Sequence, residues 1–444
     1  MTATTDADDD RDRSHVVTAF LRSDGDVLLL CRSDAVGTYA GWWGAVSGFA
    51  EGEPDAQVST EIREETGLED DAVSLVRSGR PVEFADAELG REWVVHPYLF
   101  DCEDREVELS EEHDTAEWVP PTELVDPDSD RETVPELWTA YERVAPTVRS
   151  IAADGEHGAA SLSIRALEVL RDRAGLLVAE RDAGEPASDP DEEWDELVEL
   201  ARRLLEARPS MAVLRNRVNR TMADAEAAAD GARAGAPAVL EAALAGIDRA
   251  LEADAEAAAT AADMLEGSVM TLSRSGTVLE ALRAGEPSRV FVAESRPARE
   301  GVGVAEALAA DVPVTLHTDA AAAHLLATED VDRVLVGADT IRADGAVVNK
   351  TGTRTLAVAA AREDVPVTVV AATDKLSTRE ELNLESGDRS AVYDGEAGID
   401  VANPTFDVTP ADCVSEVATE RGLLESEALE DVVKELRELE ERRA

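Results

Sequence analysis

Hydrophobic positions along the chain follow three successive patterns. Residues 15–147 mix short apolar runs with one helical stretch, Asp55 to Thr66, which Gly67 ends. Residues 148–265 repeat their apolar positions at helical spacing and are rich in Ala, Leu, Glu and Arg. From Gly267 onward, short β-branched runs alternate with helical stretches. This alternation is typical of a doubly wound, largely parallel sheet, so we expect an α/β protein.

The three patterns predict a division of the chain into four parts. These are a disordered acidic tail (1–13), a compact α/β domain (14–147), a helical subdomain (148–265) and a Rossmann-like domain (266–444). Ser23-Asp24-Gly25 predicts a hairpin between the first two strands. The strands predicted for the Rossmann-like domain are 269–272, 290–293, 312–316, 334–336 and 367–371.

Polar segments follow four of these five strands at their carboxyl ends. Ligands of doubly wound sheets bind beyond such ends. We therefore expect a binding site where the four segments converge. The segments are Ser273 to Gly276, Glu294 to Pro297, His317 to Asp319 and Gly337 to Asp339.

The stretch from Val334 to Thr353 carries the polar residues best suited to bind an anion. A buried strand is predicted to end in Asp339, and Asn349-Lys350-Thr351-Gly352-Thr353 leads into a helix. A helix start after a small-residue loop offers backbone N–H groups and a favourable dipole to an anion. Lys350 adds a point charge suited to phosphate. The alternative is an ordinary strand-to-helix turn in which Asp339 caps the helix.

Three carboxylates suggest a metal site in the first domain. Glu61, Glu64 and Glu65 stand at i, i+3 and i+4, so a helix places them on one face. Like charges so placed repel each other, and a hard divalent cation such as Mg²⁺ would neutralise them. The alternative is a solvated acidic face, which is common in so acidic a chain.

Charge is the most unusual property of the composition. Acidic residues outnumber basic ones by 96 to 42, giving a net charge of −54, and both halves share the excess. With 44% hydrophobic residues the chain is not a disordered polyanion, and its surface suits a concentrated salt solution. The absence of a basic stripe disfavours direct nucleic-acid binding. We expect a soluble, intracellular, halophilic protein that does not enter a membrane.

The first domain resembles the Nudix hydrolases, which cleave nucleoside diphosphates linked to another moiety. The resemblance lies in GFAEGEPDAQVSTEIREETGL, Gly48 to Leu68, and in the flanking GTYAGWWGAVSG and EEHDTAEWVPPTEL. It implies an α/β/α sandwich in which Glu61, Glu64 and Glu65 bind Mg²⁺, with Mn²⁺ as an alternative, and in which Glu61 and Glu64 take part in catalysis. Glu111 and Glu112 are further candidates for a distal metal ligand or base.

This Nudix-like segment departs from the usual box in two ways. It is two residues shorter, and Thr60 stands where the family carries an arginine that orients the carboxylates. Both changes could weaken hydrolysis.

The last three-fifths of the chain resemble a second family. GADTIRADGAVVNKTGT is similar to the signature shared by methylthioribose-1-phosphate isomerase, ribose-1,5-bisphosphate isomerase and the alpha, beta and delta subunits of initiation factor 2B. The resemblance implies that Asp339 is catalytic and that Asn349 and Lys350 hold the sugar phosphate. Substrate contacts are likewise implied for Arg208, Gly158 and Ala159.

This second resemblance also has departures. Ser273 occupies the place of a cysteine that the isomerases use, and a serine hydroxyl does not exchange a proton readily at neutral pH. His157 stands for an arginine, and Glu300 for a glutamine of the methylthioribose branch. For Arg208, a structural salt bridge is as consistent with the residues as a phosphate contact.

We therefore expect two functions in one chain, which we also expect to form a homodimer. The first domain would hydrolyse a nucleoside diphosphate derivative with Mg²⁺, and the last would bind a phosphorylated ribose or nucleotide with weak or no isomerase activity. One alternative is a non-catalytic initiation-factor-2B-like regulatory or assembly subunit. Another is an active ribose-1,5-bisphosphate-type isomerase.

Overall fold

A computed structural model describes residues 13–50, 52–155, 157–182, 189–229, 233–381 and 384–443. The chain forms two compact units. The first unit consists of Met1–Thr147, Glu168–Leu197 and Ala232–Glu241, and the second of Val148–Leu167, Val198–Gly231 and Ala242–Ala444. Of the predicted tail, residues 1–12 lie outside the described part, and Arg13 already belongs to a strand.

An eight-stranded mixed sheet forms the framework of the first unit. Strands β1 and β7 pair in parallel at its centre, and the remaining pairs are antiparallel. The strands are β1 Arg13–Ser23, β2 Asp26–Arg32, β3 Trp43–Gly44, β4 Val46–Phe49, β5 Val73–Ser78, β6 Val82–Asp86, β7 Arg91–Cys102 and β8 His113–Val119.

The predicted hairpin and the predicted helix of this unit are both present. Asp24 and Gly25 have φ values of 52° and 84°, as a tight two-residue hairpin turn requires. Helix α1 (Pro54–Thr66) ends at Gly67, which has a φ of 72° and donates its N–H to the carbonyl of Arg63. A second, shorter α-helix, α2 (Leu137–Glu142), follows the last strand of this sheet along the chain.

The helical subdomain contributes to both units. Its helices are α3 Val148–Ala153, α4 Ala159–Asp182, α5 Pro190–Ala207, α6 Ala212–Ala228 and α7 Ala236–Ala262. The part of α4 from Glu168 onward belongs to the first unit. There Glu168 pairs with the buried Arg22 at 3.2 Å, Arg171 donates to the carbonyl of Gly25, and Asp172 accepts from the Tyr141 hydroxyl at 2.9 Å.

The second unit is built on a seven-stranded sheet with the order β11-β10-β9-β12-β15-β17-β18. All pairs are parallel except β17 with β18. The chain builds outward from β9 in one direction and from β12 in the other, so these two neighbours mark the topological switch point. The strands are β9 Ser268–Leu272, β10 Arg289–Ala293, β11 Val314–His317, β12 Arg333–Gly337, β15 Val367–Val370, β17 Glu416–Thr419 and β18 Gly422–Leu424.

A small antiparallel sheet adjoins the end of β12. It consists of β13 Thr340–Ile341, β14 Val347–Lys350 and β16 Phe406–Thr409. The helices of this part of the chain are α8 Gly276–Ala284, α9 Glu300–Leu308, α10 Ala322–Thr328, α11 Thr353–Arg362 and α12 Ser426–Arg443. Apolar side chains from both faces of the large sheet form two buried clusters.

These observations confirm the predicted fold class, an α/β chain with a doubly wound sheet in its last part. The predicted boundaries at 147/148 and 265/266 remain predictions. None of the described helices combines the length and the apolar character that crossing a membrane would require.

Candidate functional site

The acidic face of α1 is the first candidate site. The exposure of its three carboxyls differs: Glu64 is exposed, Glu61 is half-buried, and Glu65 is only 3% exposed. The backbone N–H of Ser47 donates to Glu65 Oε2 at 3.1 Å. This bond fixes the buried carboxyl beside strand β4.

Gly48 allows the Glu61 carboxyl to lie against β4. A Cβ atom at position 48 would lie 2.1 Å from Glu61 Cδ, which is far inside van der Waals contact. Gln57 Nε2 also donates to Glu61 Oε1 at 2.6 Å. The carboxyl is thus held in a slot that a larger residue would close.

Burial raises the pKa of two of the three carboxyls. It brings the pKa of Glu65 to about 8, although the bond from Ser47 works in the opposite direction. Burial also raises the pKa of Glu61, and the charges of Glu64 and Glu112 add to the effect. A divalent cation would reverse this effect because it stabilises the ionised carboxylates, so the donor set fits Mg²⁺ or Mn²⁺. Among the described residues, no group of three His, Cys, Asp or Glu side chains is arranged closely enough to hold a metal ion.

Arg32 is a charged residue beside the candidate site that the sequence analysis missed. It is the last residue of β2, its charge acts on Glu65 and Glu112, and its Nε donates to the carbonyl of Thr38 at 3.1 Å. Because Thr60 replaces the arginine of the usual Nudix box, Arg32 provides a positive charge for this cluster of carboxyls. The only sign of Arg32 in the sequence is that a charged residue ends an apolar strand.

The two weaker candidates of this region differ in their placement. The charge of Glu112 acts on both Glu61 and Glu65, whereas Glu111 is engaged through its backbone carbonyl by the Ser33 hydroxyl at 2.7 Å. Between them and α1 lies His113, whose Nε2 is 3.8 Å from Glu65 Oε2. Burial lowers the pKa of His113 to about 4, so its imidazole is neutral at pH 7.

The second candidate site lies in the second unit, at the carboxyl ends of the strands beside the switch point. Ser273 follows β9 and Asp339 follows β12, the two strands between which the chain direction changes. The four predicted segments do meet. The Ser273 N–H donates to Ser295 Oγ at 2.7 Å, the Ser295 N–H donates to Asp319 Oδ1 at 2.8 Å, and Gly337 packs against Ser275.

Ser273, Glu300 and Lys350 form one hydrogen-bonded group, which we call the clamp. The Ser273 hydroxyl donates to Glu300 Oε2 at 2.7 Å, and Lys350 Nζ donates to Glu300 Oε1 at 2.8 Å. Two of the positions at which this chain departs from the isomerases are therefore in contact. The carboxylate of Glu300 thus accepts hydrogen bonds from both the Ser273 hydroxyl and the Lys350 ammonium.

Three non-glycine residues in the clamp or in the loop before Glu300 have a left-handed backbone conformation. Ser273, Ser295 and Arg299 have φ values of 62°, 61° and 60°. This conformation is unfavourable for residues with a Cβ and clusters at ligand sites. The loops are therefore held in place by the contacts around them.

The buried carboxyl of Asp339 is influenced by two lysines. Burial raises the pKa of Asp339, while the charges of Lys375 and Lys350 act to lower it. Lys375 is only 6% exposed, and the described residues provide neither a hydrogen bond nor an ion pair for its ammonium group. The sequence analysis gave Lys375 no role, because the short 3-10 helix after β15 in which it lies, Thr373–Lys375, carries no motif.

At the start of α11, two backbone N–H groups of the predicted anion site already have a carboxylate partner. The N–H groups of Gly352 and Arg354 already donate to the carboxylate of Asp407, at 2.8 and 3.1 Å. Asn349 and Lys350 lie on strand β14 rather than in a loop, and the Asn349 amide donates to Thr353 Oγ1 at 3.0 Å. Asp339 does not cap the helix, since Gly352 is the N-cap residue and the carboxylate that accepts the N–H groups there belongs to Asp407.

The structure gives Arg208 a role that neither interpretation of the sequence foresaw. Its guanidinium donates to the backbone carbonyls of Ile151, at 2.9 Å, and of Asp154. These bonds hold the segment that leads to Gly158 and Ala159, at the beginning of α4. Gly158 is exposed and Ala159 is buried, and the His157 ring contacts Asp154 Oδ2 at 2.8 Å.

Comparisons with known proteins match two families to successive parts of the chain. The family model "Initiation factor 2 subunit family" matches residues 155–426, which is more than half of the chain, and the NUDIX domain model matches residues 11–138.

Two curated relatives are isomerases. Ribose 1,5-bisphosphate isomerase of Haloferax volcanii is 33% identical over 312 residues, which covers 66% of this chain and 94% of the relative. Methylthioribose-1-phosphate isomerase of Pseudomonas aeruginosa is 38% identical over 169 residues, 34% of this chain and 46% of the relative. Among solved structures, the translation initiation factor eIF-2B of Pyrococcus horikoshii has a TM-score of 0.51 at 27% identity, covering 62% of this chain and 94% of that one.

Proposed function

Since the chain belongs to the initiation factor 2 subunit family and carries a NUDIX domain ahead of the family region, we propose a protein with two functions. The first unit hydrolyses a nucleoside diphosphate derivative with Mg²⁺, for which Mn²⁺ can substitute. The second unit binds a phosphorylated ribose or nucleotide and isomerises it poorly. The acidic face of α1 supports the first function, and the clamp beside Asp339 supports the second.

In the first unit, Glu61, Glu64 and Glu65 would hold the metal. NUDIX domains generally use divalent metals, and a bound Mg²⁺ would polarise the diphosphate and acidify water. Gly48 and Ser47 keep two of the carboxyls in place, and Arg32 adds a positive charge that offsets the crowding of carboxylates. Glu112, whose charge acts on Glu61 and Glu65, is our candidate for the base that would accept a proton from water.

In the second unit, Asp339 would act as a proton donor. Its raised pKa favours the acid form, and a second group would have to accept the proton from the sugar. A thiol does this in the cysteine-containing isomerases that the chain resembles, whereas here the Ser273 hydroxyl donates to Glu300. The arrangement therefore supports binding better than turnover.

The two functions are chemically compatible. A NUDIX hydrolase that acted on ADP-ribose would release AMP and ribose 5-phosphate. Both products belong to the class of phosphorylated riboses and nucleotides that we propose for the second unit. This makes ADP-ribose the first substrate to test.

The decisive experiment combines Glu64→Gln and Glu65→Gln in the full chain. Hydrolysis of ADP-ribose with Mg²⁺, followed as release of AMP, should fall to background because two of the three proposed ligands lose their charge. The circular dichroism spectrum should stay unchanged, since both substitutions keep the side-chain shape.

A matched control is Glu69→Gln together with Asp70→Asn. These acidic residues follow α1 and pair with Arg63 at the surface, away from the proposed ligands. Full activity of the control and none of the first variant is the expected pattern. Undiminished hydrolysis by Glu64→Gln/Glu65→Gln would refute the proposed function of the first unit.

A further inference from the structure

Four aromatic side chains of the first unit pack into one cluster, which we call the aromatic platform: Tyr39, Trp42, Phe49 and Trp93. The rings of Phe49 and Trp93 are stacked, with their centroids 6.0 Å apart and an angle of 29° between their planes. The Tyr39 ring lies 6.4 Å from that of Trp93 and 5.5 Å from that of Trp42. Phe, Trp and Tyr make up only 4% of the chain, so four of them in one cluster is an unusual concentration.

The outer side of the platform is open to solvent. Trp93 is buried, with 5% exposure, whereas Phe49 is 51% exposed and both Tyr39 and Trp42 are half-buried. The buried tryptophan therefore supports a phenyl ring whose other face contacts water. A flat ligand that covered this face would remove apolar surface from water and gain a ring-to-ring contact.

The platform adjoins the acidic face of α1 across the end of β4. Gly48 lies against the Glu61 carboxyl, and Phe49 is the next residue, about 3.8 Å further along the chain. Successive side chains of a strand point to opposite faces of the sheet, so Phe49 and Glu61 lie on the two sides of this strand. Among the described strands, β4 pairs only with β1, which leaves its other edge open. A ligand that crosses this edge can reach both sides.

Arg32 connects the platform to the carboxyls a second time. Its positive charge acts on Glu65 and also on Tyr39. Its Nε donates to the carbonyl of Thr38, which holds the loop that carries Tyr39. The Tyr39 hydroxyl in turn donates to Asp86 Oδ2 at 2.5 Å, at the end of β6. These bonds fix the position of the platform beside the carboxyls.

The two surfaces suit the two chemically different parts of a nucleoside diphosphate. The carboxyls of α1 would hold a divalent cation, and the cation would hold the negatively charged diphosphate. A phosphate at the platform would be repelled by Asp86, whereas an uncharged base would not. Every base has a flat π face, and stacking on an aromatic ring requires no particular pattern of hydrogen-bond donors and acceptors. The two fused rings of a purine would cover more of the platform than the single ring of a pyrimidine.

We propose that the aromatic platform is the subsite for the base of the nucleoside diphosphate and that it favours purines over pyrimidines. The inference rests on the proposed function of the first unit and narrows its substrate class. Adenine and guanine substrates should be accepted about equally, because stacking depends on the area of the rings more than on the groups attached to them.

Hydrolysis of ADP-glucose, GDP-glucose and UDP-glucose by the full chain with Mg²⁺ tests this preference, because these substrates differ only in the base. The kcat/KM values of the two purine substrates should agree within about threefold and exceed that of UDP-glucose by about tenfold. Phe49→Ala should lower kcat/KM for the purine substrates about tenfold, mainly by raising KM, and should affect UDP-glucose less.

Two further variants separate stacking from loss of fold. Phe49→Trp should keep the purine preference, because it replaces one flat ring with a larger one. Leu75→Ala is the matched control, since Leu75 is an apolar residue of β5 that is 59% exposed and lies outside the platform. It should leave all three kcat/KM values unchanged.

Binding of AMP in the absence of metal provides a measurement that does not depend on catalysis. AMP should quench the tryptophan fluorescence of the unaltered protein, and Phe49→Ala should weaken this binding about tenfold. Equal kcat/KM values for the three substrates, or a purine preference that Phe49→Ala leaves intact, would overturn the inference. So would a change of oligomeric state caused by Phe49→Ala, which would assign the ring to an interface between copies of the chain. If the unaltered protein hydrolyses neither ADP-ribose nor any of the three sugar nucleotides, the proposed function of the first unit itself fails.

Discussion

At the scale of single residues, we expect the side chain at position 273 to set how much isomerase activity the second candidate site has. Ser273→Cys places a thiol between Glu300 and the ligand. Since a positioned acid–base group is worth roughly a hundred- to ten-thousand-fold in rate, turnover of ribose 1,5-bisphosphate should rise by about a hundredfold or more. Formation of the ketose product measures it.

Ser273→Ala is the control for this prediction. It also removes the hydroxyl from Glu300 but provides no thiol, so its turnover should stay as slow as that of the unaltered protein. Ordinary enzymatic rates in the unaltered protein would contradict the prediction and favour an active isomerase.

Asp374 gives a pH-dependent prediction at the same scale. Burial acts to raise its pKa, but the charges of Arg220 and Arg217 outweigh it and hold the pKa below its ordinary value. The ionised form is therefore favoured by folding. Its contribution to stability is present above the unfolded-state pKa of about 3.9 and disappears as the pH falls through the lower folded-state pKa.

Asp374→Asn should accordingly destabilise the second unit at pH 7, by about 3 kcal/mol, because two arginines lose a buried partner. Denaturant titrations at several pH values should show the difference from the unaltered protein narrowing as the pH falls below about 4. Asp388→Asn, at an exposed carboxylate that accepts only from Ser390, should change stability little at any pH. Equal effects of the two substitutions would argue against the role given to the arginines.

The sequence could identify those site residues whose position after a strand predicts which other residues lie near them. Ser273 and Asp339 each follow an apolar strand, so the topology of a parallel sheet predicts that they meet. Lys375 and Arg32 carry no such signal. Their charges act on groups far away in sequence, Asp339 for one and Glu65 for the other, and only the folded chain reveals this.

At the scale of elements, a single glycine in β4 determines where the Glu61 carboxyl of α1 can lie. Gly48→Ala would drive a methyl group into the Glu61 carboxyl, which can move aside because it ends a flexible side chain. Stability should therefore change little, while Mg²⁺-dependent hydrolysis should fall by at least about tenfold, because Glu61 leaves its position. Steady-state rates and melting curves measure the two effects separately.

Gly37→Ala provides the comparison for this element. An added Cβ there meets no atom within 4 Å, so both activity and stability should be retained. Unchanged hydrolysis by Gly48→Ala would mean that Glu61 is not needed where the structure places it.

The start of α11 shows why element-level expectations can fail. The sequence predicted free backbone N–H groups and hence a phosphate site, and the helix does begin there. The partner that occupies those groups, Asp407, comes from β16, which pairs with β14. A local sequence pattern predicts which backbone N–H groups a helix start offers as donors. It does not predict that a side chain from another strand accepts hydrogen bonds from them.

At the scale of the whole molecule, the large negative charge is the property that most affects the stability of the folded state. With a net charge of −54, repulsion between carboxylates destabilises the folded state wherever counter-ions are scarce. We predict that the melting temperature rises by at least about 10 °C between dilute and molar potassium chloride. Sucrose at matched osmolality, which does not screen charge, should have a smaller effect, and a melting temperature independent of salt would contradict a halophilic protein.

Helix α4 has a consequence for the order of events during synthesis. The buried Arg22 and Tyr141 of the first unit bond to Glu168 and Asp172, and the same unit draws on Ala232–Glu241. An amino-terminal domain ordinarily folds as soon as it leaves the ribosome. Here we expect the NUDIX domain to remain incompletely folded until the ribosome has translated well into the sequence of its neighbour.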